Sequence, residues 1–249
     1  MKKILSIIFL IVLSAVLLTA TLRGEYGNHE SIPELSRLNA ETLPFESSHE
    51  RAPYAEMLAI KDRGTIELGK ELGLFASPDA GYDGDKIYSF FPSGVSYLIL
   101  GGYIIGQNYN LGSLSAFAVM GLLTVGTIIL IFLISRNIFK LPIWASILAP
   151  LTFAFATTAW SYSITIYQHA PTAFIAMLMF YLTWKYKNAK NSLVYLYAIL
   201  VGSLYALALF IDYPNALTLS PLGVYFFASS FSTESLKNKV KINFKPAFL

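Results

Sequence analysis

The chain has 249 residues, 55% of them apolar and 13% charged, with a mean hydropathy of +0.56, no cysteine and a net charge of +3. A soluble fold of this length cannot hide that much apolar surface, and a disordered chain would not carry it, so a bilayer is the expected solvent. The lack of cysteine excludes disulfide frameworks, thiolate metal sites and thiol nucleophiles, and so small a net charge gives no footing for nucleic acid.

In chain order, the first feature is an apolar run from Ile4 to Ala20 behind Lys2 and Lys3. It reads as an uncleaved signal anchor, with a cleaved signal peptide as the alternative; either places the following segment outside the cell. Residues 22–92 then hold thirteen of the fifteen acidic residues but only seven of the eighteen basic ones, a local net charge of −6. Within this polar segment Tyr54, Met57 and Leu58 recur at helical spacing. They predict an amphipathic helix over Pro53–Asp62, with Pro53 in its first turn and Gly64 as its stop. His49, Glu50 and Arg51 fall just ahead of it, where the positive helix end favours an anion. They are either a surface capping cluster or part of a site.

Asp83-Gly84 predicts a turn, followed by Asp85, Lys86 and Tyr88 in a short extended stretch. Phe90, Phe91 and Pro92 come next. This region reads as a hairpin resting on the membrane or as a gate beside a cavity. Ser93–Ile105 is apolar but short, and predicts a re-entrant or surface-lying helix.

Five more apolar runs follow: Leu111–Ser135, Leu141–Ala159, Ala170–Trp184, Leu193–Ile211 and Ala216–Phe231. With the first they predict six transmembrane spans, hence an all-α polytopic membrane protein with a large first extracytoplasmic loop. The organisation is a first transmembrane helix over 1–21, the loop with its interfacial helices over 22–110, a five-helix bundle over 111–231 and a cytoplasmic basic tail over 232–249. All eleven basic residues outside the polar segment then face the cytoplasm, as the positive-inside rule requires. The predicted location is the cell membrane, with the N-terminus cytoplasmic and the acidic loop outside.

Two short outer turns carry polar groups. His169 sits where the chain re-enters the membrane, beside Tyr162, Tyr167 and Gln168, and an ionisable group at that depth faces a cavity or a partner. Asp212-Tyr213-Pro214 ends the fifth span; Asp212 either caps the next helix or faces the same outer site. There is no phosphate-cradling glycine loop and no GxSxG elbow. His29, His49 and His169 lack metal-ligand spacing, so neither a metal nor another cofactor is expected; a zinc site joining His49, Glu50 and His169 is the open alternative.

The order of these features resembles the GT-C superfamily of integral-membrane glycosyltransferases, in particular its protein O-mannosyltransferase-like and aminoarabinose-transferase-like groups (glycosyltransferase family 39-like). A family pattern Y-A-x-x-x-A-x-x-x-x-G-T is matched by Tyr54, Ala55, Ala59, Gly64 and Thr65. A pattern DGKxYSxxPPG is met by Asp83, Gly84, Asp85, Lys86, Ile87, Tyr88, Ser89, Pro92, Ser93 and Gly94. Later stretches of the forms YSxxxxxH and DYPxA correspond to Tyr162, Ser163 and His169, and to Asp212–Pro214 with Ala216. The departures are His49-Glu50 where many members carry an adjacent acidic pair, one proline where two are usual, and about half the usual length. The chain therefore reads as the N-terminal half of such an enzyme.

The resemblance implies transfer of a sugar from a polyprenyl-phosphate donor to an acceptor hydroxyl on a protein, lipid or glycan, at the outer face of the bilayer. Glu50 is then the first candidate for general base, with Asp83 and Asp85 as rivals. Arg51, Arg63 and Lys86 are candidates for the donor phosphate, and Tyr88, His169 and Asp212 for lining the substrate site. The rival expectation is a non-catalytic membrane protein: a polyprenyl-lipid-binding remnant, a partner subunit or, with less support, half of a transporter.

Overall fold

The computed structural model describes residues 2–30, 44–45, 47–190, 192–236 and 239–244. The protein is mostly helical. Helix α1 covers Lys2–Thr21, α2 Ser48–Arg63, α3 Gly69–Ala76, α4 Gly94–Gln107 and α5 Gly112–Asn137. After these come α6 at Ile143–Phe155, a short α7 at Ala159–Ser163, α8 at His169–Lys187 and α9 at Leu193–Ile211. The described chain ends with α10 at Asn215–Thr218, α11 at Ser220–Ser229 and an antiparallel pair of strands. Between α3 and α4 lies a small hairpin, β1 at Ala80–Asp83 and β2 at Lys86–Ser89, turning at Gly84 with φ +59°.

Three helices are long and apolar enough to cross a bilayer, namely α1, α5 and α9. They match the first, second and fifth predicted spans. The others differ from expectation in definite ways. The run Leu141–Ala159 yields the 13-residue α6, about 20 Å long against a core of about 30 Å. The run Ala170–Trp184 lies within the 19-residue α8, whose C-terminal turn carries Lys185 and Lys187. The run Ala216–Phe231 is broken at Leu219 into α10 and α11, with Pro221 opening the second piece. The segment expected as a basic tail contains β3 at Phe231–Leu236 and β4 at Lys239–Phe244. Lys237 and Lys245 lie outside the described residues.

Contacts between helix ends fix which ends share a side. At one end Lys3 Nζ donates to Asn137 Oδ1 at 3.1 Å, and Asn137 Nδ2 donates to Tyr181 Oη at 2.9 Å. The start of α1 therefore meets the ends of α5 and α8. Tyr186 and Ser230 share a 3.1 Å hydrogen bond there, bringing in the end of α11. The basic residues Lys2, Lys3, Arg136, Lys185 and Lys187 gather at this end. The polar loop packs on the opposite end.

The loop and the long helices share one apolar core. Phe45 lies 5.0 Å from Tyr54 on α2, 5.5 Å from Phe75 on α3 and 5.6 Å from Phe117 on α5, ring centre to ring centre. Such pairs add about 0.5–1.5 kcal/mol each beyond the area they bury. These contacts tie the described part of the loop to the bundle beneath it. Close approach completes the arrangement: a β-carbon at Gly102 would lie 2.6 Å from Ser115 O, and one at Gly106 2.2 Å from Ser115 Oγ. Small residues spaced by four let the α4 and α5 backbones touch.

Candidate functional site

Helix α2 starts earlier than the sequence predicts. Ser47 is extended, with φ −154° and ψ 169°, and the helix begins at Ser48, so His49, Glu50 and Arg51 lie inside its first turn and Pro53 in its body. Two serine hydroxyls that would otherwise cap the helix are engaged elsewhere. Ser47 Oγ shares a 2.8 Å hydrogen bond with Tyr167 Oη, and Ser48 Oγ donates to Asp79 Oδ2 at 2.7 Å. The helix ends as expected, at Gly64 with φ +64°, where the Gly64 N–H returns to Ile60 O.

Around this helix start, four segments meet. His49 packs its ring 3.9 Å from Phe91 and 4.8 Å from Tyr167, and its Nε2 lies 2.9 Å from Gln168 Oε1. Gln168 in turn lies beside Asp212 in the lining of one recess. His169, exposed at the start of α8, packs its ring 4.3 Å from that of Tyr162 at a tilt of 59°. The side chain of Asp212 does not cap the helix that follows it; the Pro214 ring opens α10, and Asp212 borders the same recess as Gln168. Burial pushes the Asp212 carboxyl above the usual range, against the pull of His169, the Gln168 donor and His49.

Two openings adjoin this cluster. A cleft of about 180 Å³ runs between α5, α6 and α8, with Tyr162 and His169 near its polar end and Thr124, Thr127, Phe153 and Ala173 along its walls. A tighter recess is bounded by His49, Phe91, Pro92, Gln168 and Asp212. His169 and Asp212 interact electrostatically between the two.

Glu50 is fully buried. Its Oε1 accepts the Ile166 N–H at 3.0 Å, and its Oε2 stands 3.6 Å from Arg23 Nη1. Glu50 thus clamps the loop helix to the turn that carries Gln168. Arg51 Nη2 donates to Ser77 O at 2.9 Å, with the guanidinium 6.0 Å from the centre of the Phe75 ring. Arg63 Nη2 donates to Glu67 O at 2.6 Å and to Leu68 O at 2.9 Å, closing the bend after α2. Asp83, Asp85 and Lys86 are exposed on the hairpin, where Asp83 pairs in register with Lys86. Tyr88 is half-buried on β2 and bridges to Glu67. The structure therefore brings His49, His169 and Asp212 to one rim with Glu50 buried behind it, while Asp83, Asp85 and Lys86 line neither opening.

Two residues of weight have no sequence signature. Arg23 follows the first apolar run like any flanking basic residue, yet it faces Glu50. Glu56 sits in a helical pattern that gives no reason to bury it. It is nevertheless 2% exposed, accepting Ser93 Oγ at 2.8 Å and Ser96 Oγ. Among the described residues no group of three or more His, Asp or Glu is arranged to hold a metal ion. No family model matches the sequence, and no curated protein or solved structure matches it either.

Proposed function

We propose that the chain is a membrane glycosyltransferase of the GT-C kind, moving a sugar from a polyprenyl-phosphate donor to an acceptor hydroxyl. The observation that carries the reading is the placing of His169 in a cleft between apolar helices, next to a recess lined by loop residue His49 with Gln168 and Asp212. An amphiphilic donor needs that combination: an apolar path for its tail and polar groups where its phosphate and sugar emerge. In this reading the chain crosses the cell membrane six times, with the shorter helices completing the bundle. The lysine-rich end is cytoplasmic and the rim extracytoplasmic.

The reaction needs a base at the rim. The acceptor oxygen attacks the anomeric carbon, the bond from that carbon to the phosphate oxygen breaks, and the hydroxyl proton passes to a carboxylate. The resemblance gives this role to Glu50. On accessibility we give it to Asp212, which borders the recess, while Glu50 stands behind and holds the turn. His169 offers an N–H donor to the departing phosphate, whose charge grows in the transition state.

The test is transfer from polyprenyl-phosphate hexose or pentose donors by the wild-type chain, the Asp212→Asn variant and the Glu50→Gln variant in membranes. Loss of about 10²–10⁴-fold in Asp212→Asn, with Glu50→Gln less affected, is the expected result. The reverse pattern returns the base to Glu50. A wild-type chain that transfers from none of these donors overturns the reading.

A further inference from the structure

Among the described residues the ion pairs are Arg23–Glu50, Lys61–Glu30 and Lys61–Asp62, and all of them belong to the loop. The lysine-rich end of the molecule is built differently. Residues 1–24 and 86–211 contain no Asp or Glu, and Glu234 stands opposite Lys241 in the β3–β4 register. Lys3 and Lys185 at that end therefore pair with no carboxylate among the described residues.

Three helices meet around Tyr181 there, and their hydrogen bonds can run in one direction only. An ammonium group can only donate, so Lys3 Nζ sets the amide of Asn137 with its oxygen toward α1, at 3.1 Å. The amide nitrogen then faces Tyr181 Oη at 2.9 Å, and the phenol oxygen accepts. The phenol's own proton is left for another acceptor. Lys185 Nζ lies 5.6 Å from the centre of the Tyr181 ring and 5.5 Å from that of Trp184, two rings stacked 5.8 Å apart. Aromatic faces attract an ammonium group without using up its N–H donors. Lys3 likewise spends one of three donors on Asn137. Arg136, close by in sequence, turns to the Leu141 carbonyl instead.

We infer that Lys3, Tyr181 and Lys185 form a binding site for the headgroup phosphate of an anionic phospholipid. A phosphodiester supplies the missing negative charge and accepts from all three donors. Basic pockets between helices at one membrane face hold such headgroups. A lipid fits better than a free anion because the first turns of α1 expose Ile4, Leu5 and Ile8 next to Lys3, giving acyl chains an apolar surface below the phosphate. The inference rests on the lysine-rich end alone and is independent of sugar transfer.

The full chain carrying Trp144→Phe and Trp160→Phe keeps Trp184 as its one tryptophan. It is placed in vesicles of phosphatidylcholine and phosphatidylglycerol at low salt. Quenching of Trp184 by brominated chains of one lipid or the other gives their relative affinity at this site. Phosphatidylglycerol is expected to be favoured about fivefold or more. Lys3→Gln, Lys185→Gln and Tyr181→Phe, which keeps the ring and loses the proton, should each cut that preference by about half or more. Lys140→Gln removes the same charge outside the cluster and should leave it in place. A starting preference below about twofold overturns the inference. So does an unchanged preference in Tyr181→Phe, or an equal loss in Lys140→Gln and Lys3→Gln, which is the mark of diffuse attraction. Displacement of the lipid by millimolar glycerol phosphate would make the ligand a soluble anion and overturn it as well. The first comparison needs no variant beyond the two tryptophan replacements.

Discussion

The carboxylate of Glu50 accepts the backbone N–H of Ile166, 116 positions along the chain, at 3.0 Å. The partner is main chain, so the bond fixes the path of the turn between α7 and α8 whatever side chain stands at 166. Glu50→Leu leaves that N–H and the Arg23 guanidinium facing an apolar group, and is expected to cost about 3 kcal/mol. Glu50→Gln keeps an acceptor oxygen for Ile166 and should cost less than half as much. Thermal unfolding of the purified protein in detergent compares the two; equal losses would mean that the charge opposite Arg23, and not the bond to Ile166, is what the site requires.

Helices α4 and α5 approach through glycine, which gives a paired test. Gly106→Ala sets a methyl group against Ser115 Oγ and Leu111 O, and is expected to destabilise by about 1–3 kcal/mol. Gly101→Ala, one turn earlier and with nothing within 4 Å of the added carbon, should be neutral or stabilise by up to about 1 kcal/mol through helix propensity. Denaturation midpoints of the two variants decide the matter, and similar values would remove close packing as the reason for glycine at 106.

Glu56 predicts a pH dependence. Burial pushes its carboxyl above the ordinary 4.5, by more than the Ser96 and Ser93 hydroxyls pull it down. A raised folded-state pKa means that the folded protein binds the proton more tightly than the unfolded chain does. The contribution is therefore complete below about pH 4.5 and is lost as pH rises through the folded value. The opening free energy of the first turn of α4, read by hydrogen exchange at Ser96, Tyr97 and Leu98, should fall with rising pH in the wild type relative to Glu56→Gln. A constant difference between the two proteins across pH 4–8 would contradict this.

The sequence was most legible where one local rule settled the outcome. Gly64 stops α2, Gly84 turns the hairpin and the long apolar runs of α1, α5 and α9 set helix length. It was least legible where tertiary contacts decide. Ser48 extends α2 backward because Asp79, thirty-one positions on, accepts its hydroxyl. Arg51 and Arg63, which the resemblance offers as candidates for a donor phosphate, hold backbone carbonyls of neighbouring bends. At the rim, His169 and Asp212 were visible as ionisable groups at helix ends. His49 meets that rim through Gln168, a neutral residue whose place there depends on its neighbours in space.

The sidedness of the chain can be tested by single cysteine substitutions, because the sequence has no native cysteine to remove first. Asp83→Cys, on the exposed hairpin, is expected to react with a membrane-impermeant maleimide in intact cells. Lys187→Cys, at the lysine-rich end, should react only after the cells are opened. Labelling in the opposite order would invert the proposed topology.

Gly94 lies where the loop meets α9, and a β-carbon there would stand 2.4 Å from the Phe210 carbonyl oxygen and 2.6 Å from Ile211 Cα. No rotamer change relieves a clash with main chain. Over long divergence this position becomes a landmark: glycine at 94 should persist in distant copies of the gene. Gly101, Gly202 and Gly223, with open space around them, are free to drift.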